Sequence, residues 1–209
     1  MKKLAVFDFD STLMAGETIA IIADELGLKA EVEKATEKAM NGEIDFFESL
    51  SARVSLLKGL ELSKVDEICR NLPYTQGARS VISRLKRSGY TVLCFSGGFK
   101  NATGYARKIL GYDADFSNIL HSKNGILSGL VGGEMMFSDS KGIMLQKMQE
   151  LLNVLPENTV VVGDGANDLS MFKYAQTRVA FCAKEILKSQ ANVIIDNADL
   201  SILPEIIGV

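Results

Sequence analysis

Five short runs along the chain are apolar or β-branched without strict alternation: residues 3–9 (KLAVFDF), 90–96 (YTVLCFS), 159–164 (TVVVGD), 178–182 (RVAFC) and 192–196 (NVIID). Strands covered on both faces read this way, whereas a strand with one wet face alternates. Helical patterns lie between them. Residues 77–88 stop at Ser88-Gly89 and residues 99–110 at Gly111, and glycine after the last periodic residue is a common helix stop. Residues 141–153 carry Ile143, Leu145, Met148, Leu151 and Leu152. Strand–helix–strand alternation predicts an α/β fold, a Rossmann-like, doubly wound parallel sheet with right-handed crossovers.

Two segments break the rhythm. Residues 14–74 hold almost no strand signal. In EIDFFESLSARVSLL, Ile44, Phe47, Leu50, Val54 and Leu57 recur near helical spacing, and Ser63 with Asp66 has the form of a capping box. The stretch predicts a helical insertion after the first strand. The chain then divides into a core of residues 1–13 and 75–209 and a small cap of residues 14–74. Residues 122–137 (SKNGILSGLVGGEMMF) are glycine-punctuated and alternating, which predicts a β-hairpin.

Composition narrows the class. With 209 residues, 47% of them hydrophobic and 23% charged, the chain can build a substantial core with one small insertion. A net charge of −3 speaks against a nucleic acid or an anionic membrane as partner. No apolar run approaches the roughly 20 residues of a membrane span. Asp8 and Asp10 interrupt the export signal that the opening MKK would otherwise begin. Cys69, Cys94 and Cys182 are odd in number and form no CxxC pair, as expected of reduced thiols in a cytoplasmic chain. Cys94 and Cys182 follow apolar residues and are expected to be small buried hydrophobes.

In doubly wound sheets, ligands bind beyond the carboxyl ends of the strands. Three of the runs end there in polar groups: Asp8-Phe9-Asp10, then Ser96-Gly97-Gly98, then GDGAND with Asp164, Asn167 and Asp168. Lys141 opens the helix between the second and third. Each alone reads as a turn, a cap, a loop or a solvated charge. Together they converge on one edge of one sheet. Two neighbouring carboxylates repel and resist burial, so the pattern asks for a compensating cation. Asp8 and Asp164 offer the oxygen ligands that Mg²⁺ prefers, and the metal would keep Asp8 ionised and nucleophilic. Asp168, four residues after Asp164, is suited to hold a metal-bound water. Ser96 and the Gly97 amide can donate to phosphate oxygens. Lys141 offers a point charge for a phosphoryl group and for the nucleophile. Asp10 can protonate a leaving oxygen and later activate water. These are the parts of an enzyme that works through an aspartyl phosphate.

The segments DFDST (8–12), SGG (96–98), Lys141 and GDGAND (163–168) resemble the four motifs of the haloacid dehalogenase superfamily of phosphatases, over nearly the whole chain. Glu17, SARVSLLKG (51–59), SGGF and VGDGANDLSMF make it most similar to the branch that acts on phosphoserine. The resemblance implies Asp8 as nucleophile and Asp10 as general acid and base. It implies Mg²⁺ held by Asp8, the Asp10 backbone carbonyl and Asp164, with Asp168 in support, and Ser96, Gly97, Lys141 and Asn167 around the phosphoryl group. Residues 14–74 would be the cap that closes over the substrate. Glu17 would meet the substrate's ammonium and Arg53 its carboxylate, which a guanidinium can bind bidentately. Phe46, seven residues before Arg53 on the same helix face, would join Met40 in walling off water.

The expected reaction is Mg²⁺-dependent hydrolysis of L-phosphoserine to L-serine and phosphate, the last step of serine biosynthesis, by a cytoplasmic monomer or homodimer. Two alternatives stay open: phosphoryl transfer to another alcohol such as homoserine, and a signalling domain phosphorylated on Asp8. Asp10 and the helical insertion favour turnover. Gln176 stands where the family commonly has Gly and Ser117 where it has Ala; both bear on local packing. His121, the only histidine, has no assigned role.

Overall fold

A computed structural model describes residues 2–41 and 43–209. Seven strands form one sheet: β1 (Lys3–Phe7), β2 (Tyr90–Phe99), β3 (Ala114–Lys123), β4 (Ile126–Gly133), β5 (Thr159–Gly163), β6 (Thr177–Phe181) and β7 (Val193–Ile195). Their order is β4-β3-β2-β1-β5-β6-β7. Every pairing is parallel except β3 with β4.

Successive side chains of a strand point to opposite faces, and here both faces are dry. Ala5 and Phe7 of β1 join Val92, Cys94, Val160 and Val162 in one core layer. That layer includes Val81, Ile82 and Leu85 of α5 (Ala78–Arg87) and Ala102 and Ala106 of α6 (Lys100–Leu110). Leu4 and Val6 join Leu93, Phe95 and Val161 in the other. There they meet Leu145 of α7 (Ser140–Leu152), Met171 and Phe172 of α8 (Leu169–Phe172) and Leu187 of α9 (Glu185–Lys188). The chain ends in α10 (Leu203–Ile206) on the first face. With β2 on one side of β1 and β5 on the other, the winding reverses at β1. A crevice opens at the carboxyl ends of these three strands.

Between β1 and α5 run four helices, α1 (Thr18–Asp24), α2 (Lys29–Met40), α3 (Phe46–Ser55) and α4 (Leu62–Arg70). Asp45 starts α3 by accepting from the Glu48 N–H at 2.9 Å, which satisfies one of the helix's free donors. The segment is stitched to the hairpin edge by backbone bonds: Gly59 N–H to Leu127 O (2.9 Å), Leu127 N–H to Leu60 O (2.8 Å) and Leu62 N–H to Gly125 O (2.8 Å). Asn101 at the start of α6 donates to Asp66 at 2.6 Å. The hydrophobic core also crosses the seam, with Ile19, Val54, Leu57 and Val65 joined to Phe9, Leu13 and Leu127. Phe47 and Phe137 stack with centroids 5.2 Å apart, and Lys184 lies 3.8 Å from Glu37.

Several expectations change. Leu50, Val54 and Leu57 are buried, but Ile44 and Phe47 are 41% and 40% exposed, and Phe46 (6%) takes the inward position. The helix begins only at Phe46, so Ile44 is outside its periodicity. Ser63 and Asp66 form no capping box: Glu61 is the residue at the start of α4, Ser63 bonds to its side chain, and Asp66 is engaged by Asn101. The hairpin is longer at its start and shorter at its end than residues 122–137. Its first arm is the part of β3 from Asn118 to Lys123, and it turns at Asn124 (φ 54) and Gly125 (φ 79), the left-handed pair of a tight type I′ turn. Cys94 is buried, whereas Cys182 is exposed with φ 44; it lies just past β6, where the chain leaves the sheet. His121 of β3 bonds Ser128 of β4 through Nδ1 at 2.7 Å.

Candidate active site

Asp8 is the first residue past β1, fixed by its N–H to Val162 O at 2.9 Å. Its Oδ1 accepts from Lys141 Nζ at 2.6 Å, and the same ammonium donates to Asp168 Oδ1 at 2.6 Å. All three side chains are almost fully buried. Asp168, at the end of a short 3-10 turn (Ala166–Asp168), turns its Oδ2 back onto the N–H groups of Asp164 (2.9 Å) and Gly165 (3.1 Å). Gly163 is required here, since a Cβ on it would fall 2.2 Å from Asp168 Oδ2.

Asp8, Asp164 and Asp168 each bring an oxygen within 4.8 Å of the others. Burial first, then the Asp168 charge, push the Asp8 carboxyl up to about 7 against the pull of Lys141. Burial and the charges of Asp8 and Asp168 hold Asp164 well above its ordinary value. Burial alone would push Lys141 down, but Asp168 and Asp8 hold it above an ordinary lysine. One ammonium therefore does not satisfy the cluster. A set of carboxylates with unmet negative charge fits a hard divalent cation such as Mg²⁺. Among the described residues no hydrogen-bond donor reaches the Asp164 carboxylate, so its oxygens are available. Both Asp168 oxygens are engaged, so it braces the loop and Lys141.

Asp10 points into the crevice. Its Oδ1 accepts from the Thr18 N–H at 2.8 Å and from the Thr18 hydroxyl. Burial raises its carboxyl, with the Thr18 bonds opposing. Opposite, Gly98 comes so close that a Cβ would lie 2.6 Å from Asp10 Oδ2. The peptide between Gly97 and Gly98 is held at both ends. Its N–H donates to Ser96 Oγ at 2.9 Å, and its carbonyl accepts from Asn118 Nδ2 at 3.0 Å. Ser96 Oγ thus serves as an acceptor within the turn, and its own proton has no acceptor among the described residues. Asn167 Oδ1 is buried without a partner; a buried polar group left open this way suits a bound ligand.

The cavity beside these groups is small, about 30 Å³, room for two waters at roughly 10–15 Å³ each. Asp8, Asp10 and Asp164 form its floor, and Met40, Phe46 and Leu50 are apolar walls from α2 and α3. Glu17 and Arg53 complete it. Burial, then the Asp10 charge, push Glu17 up to about 8, while Ser11 Oγ donates to it at 2.9 Å. Burial lowers Arg53, with Glu17 and Asp10 opposing. Phe46 closes over Gly97, where a Cβ would fall 2.6 Å from its ring tip, and Met40 closes over Gly165, with a Cβ 2.8 Å from sulfur. Every candidate site residue named from the sequence is on this cavity or, for Ser96, Lys141 and Asp168, bonded directly behind it. Thr18 and Asn118 were not foreseen. Thr18 stands next to Glu17 at a helix start, a weak signal, and a lone Asn in FSNIL gives none.

The chain belongs to the haloacid dehalogenase-like hydrolases, whose family model matches residues 2–176. Within that class it is 62% identical over 198 residues to a phosphoserine phosphatase of Wolinella succinogenes, covering 95% of this chain and 96% of the relative. It is 47% identical to a phosphoserine phosphatase of Methanocaldococcus jannaschii, covering 95% and 94%. Among solved structures, a phospho-aspartyl intermediate analogue of phosphoserine phosphatase matches with TM-score 0.94 and 47% identity over 98% of both chains. A substrate-bound phosphoserine phosphatase matches with TM-score 0.94 and 46% identity, also over 98% of both.

Proposed function

We propose that this chain is a phosphoserine phosphatase that hydrolyses L-phosphoserine to L-serine and phosphate. The observation that carries it is one cavity with Lys141-bound Asp8 on its floor and both Glu17 and Arg53 on its walls. That is phosphoryl chemistry faced by a carboxylate and a guanidinium, the complement of an amino acid's two charges. Helices α1–α4 act as the cap and the rest of the chain as the core.

Mg²⁺ would be held by Asp8, the Asp10 backbone carbonyl and Asp164. When bound, it supplies the positive charge that keeps Asp8 ionised and screens the phosphoryl oxygens. The Asp8 carboxylate attacks phosphorus as the bond from phosphorus to the seryl oxygen breaks. Asp10, whose buried carboxyl holds its proton above the ordinary range, delivers that proton to the departing oxygen. Serine leaves, and Asp10, now a carboxylate, takes a proton from water. The water oxygen bonds to phosphorus, the bond to Asp8 breaks, and phosphate and free Asp8 result. Lys141, the Ser96 hydroxyl, the Gly97 amide and Asn167 surround the phosphoryl oxygens, and Asp168 keeps Lys141 in line. Phe46 and Met40 exclude bulk water from the acyl phosphate. Among the described residues no helix is long and apolar enough to cross a membrane.

The test is phosphate release from L-phosphoserine, phosphothreonine, phosphoethanolamine and a sugar phosphate, each with Mg²⁺ or EDTA. Mg²⁺-dependent preference for phosphoserine, abolished in Asp8→Asn, is expected. Equal rates on all four esters would remove the substrate assignment, and unchanged turnover in Asp8→Asn would remove the mechanism.

A further inference from the structure

Arg53 is buried in α3, and its guanidinium is held from two sides. Nε donates to Ser49 O of its own helix at 3.2 Å, and Nη1 donates to Thr36 Oγ1 at 2.7 Å. Thr36 belongs to α2, a different helix, and is itself buried. A hydroxyl has one proton to give, and that of Thr36 goes to Val32 O at 2.9 Å. Its oxygen toward Arg53 can therefore only accept. The result is a one-way brace: Val32 O orients the hydroxyl, the hydroxyl orients Nη1, and Ser49 O orients Nε. Nη2 and the second Nη1 hydrogen have no partner among the described residues. They form the remaining edge of a planar fork that can take both oxygens of a carboxylate.

We infer that Thr36 is a specificity-positioning residue, which fixes the Arg53 fork so that it reads the substrate's carboxylate. The inference rests on the proposed reading of Arg53 as the carboxylate clamp. A free arginine side chain has many rotamers, and holding it in one removes an ordering cost from binding. Thr36 lies one helical turn before Met40, which closes over the phosphoryl loops. The same helix face thus sets both the clamp and the lid.

The test compares kcat/KM for L-phosphoserine with that for phosphoethanolamine, which keeps the phosphate and ammonium but lacks the carboxylate. Three variants are read against the parent chain: Thr36→Val, nearly the same shape with no acceptor; Thr36→Ser, which keeps the hydroxyl; and Arg53→Met. Thr36→Val should lower the phosphoserine-to-phosphoethanolamine ratio by roughly tenfold, chiefly through KM for phosphoserine, given one charged hydrogen bond. Thr36→Ser should restore the ratio, which separates positioning from a general packing defect. Arg53→Met should bring the ratio furthest down. If Arg53→Met collapses the ratio while Thr36→Val leaves it at the parent value, or lowers both substrates alike, the role of Thr36 is overturned and the clamp stands. If Arg53→Met leaves the ratio unchanged, the clamp itself falls, and this inference with it.

Discussion

Glu17→Gln is expected to stabilise the metal-free protein while damaging its selectivity. Glu17 is raised from 4.5 to about 8, by burial first and then by the charge of Asp10. In the unfolded chain it ionises near its ordinary value. Between those two values the folded protein holds a proton that the unfolded chain has released. Its folded-state value being the higher, the stability this proton contributes is complete below pH 4.5 and falls as pH rises, until it is gone above about 8. At about 1.4 kcal/mol per pH unit, the ceiling is about 5 kcal/mol. Glu17 keeps part of its surface exposed and retains the Ser11 bond, so solvent screens the charge and roughly half or less applies, about 2 kcal/mol. Glutamine has the same shape, can still accept from Ser11 and never ionises. The two proteins should unfold alike at pH 4.5, and the variant should be the more stable at pH 9 by about 2 kcal/mol. For a chain of this size that is roughly 4–8 °C in Tm. Urea denaturation in EDTA at pH 4.5, 6.5 and 9, read by circular dichroism, measures it. A variant no more stable than the parent at pH 9 would refute the claim that this carboxylate is strained in the free site.

Lys141→Met leaves Asp8 and Asp168 facing each other without their shared ammonium, and removing one partner of a buried ion pair costs about 3–5 kcal/mol. The loss should be largest above pH 7 and shrink below it, where Asp8, already raised to about 7, takes up a proton; denaturation at pH 5.5 and 8.5 checks the sign. Gly97→Ala places a methyl 2.6 Å from the tip of the Phe46 ring, a side chain that can swing away. Calorimetry should show a stability loss of about 1–3 kcal/mol, while steady-state kinetics show a several-fold loss of kcat as Phe46 is pushed off the site.

The central sheet was legible because its strands are covered on both faces and so read as unbroken apolar runs. The first half of β3 escaped for a physical reason. Its Asn118 is buried, yet bonded in full, to Gly97 O and to both backbone groups of Met135. A buried amide with distant partners looks, in sequence, like a loop residue. At the start of α3 only Phe47 was misplaced, while Leu50, Val54 and Leu57 are buried as expected and Phe46 faces the site. Phe46 and Phe47 are equally apolar, and what selects Phe46 is the bare backbone of Gly97 beneath it, fifty residues away. At the site, the groups that do chemistry were legible because strand ends announce them. Thr18, Thr36 and Asn118, which orient those groups, were not, since their roles lie in hydrogen bonds to residues far along the chain or in other elements.

The charge at the cavity explains why binding and closure belong together. Among the described residues at the cavity, Asp8, Asp10, Glu17, Asp164 and Asp168 stand against Lys141 and Arg53. Burial and mutual repulsion raise the Asp8, Asp10, Glu17 and Asp164 carboxyls above their ordinary values, a direction that suits Asp10 as an acid and works against Asp8 as a nucleophile until a cation is bound. A divalent cation held by Asp8, Asp164 and the Asp10 backbone carbonyl would relieve the floor and leave the Asp10 carboxyl, fixed separately by Thr18, free for proton transfer. On the proposed reading, the ammonium of an amino-acid phosphate would relieve Glu17, its carboxylate would give Arg53 a counterion, and expelling water behind Phe46 and Met40 would strengthen both pairings. An ester without the carboxylate would then leave Arg53 with only its Ser49 and Thr36 contacts and Glu17 as its nearest opposite charge. Discrimination on that reading depends less on extra attraction to the right substrate than on the cost of closing the cap over a wrong one.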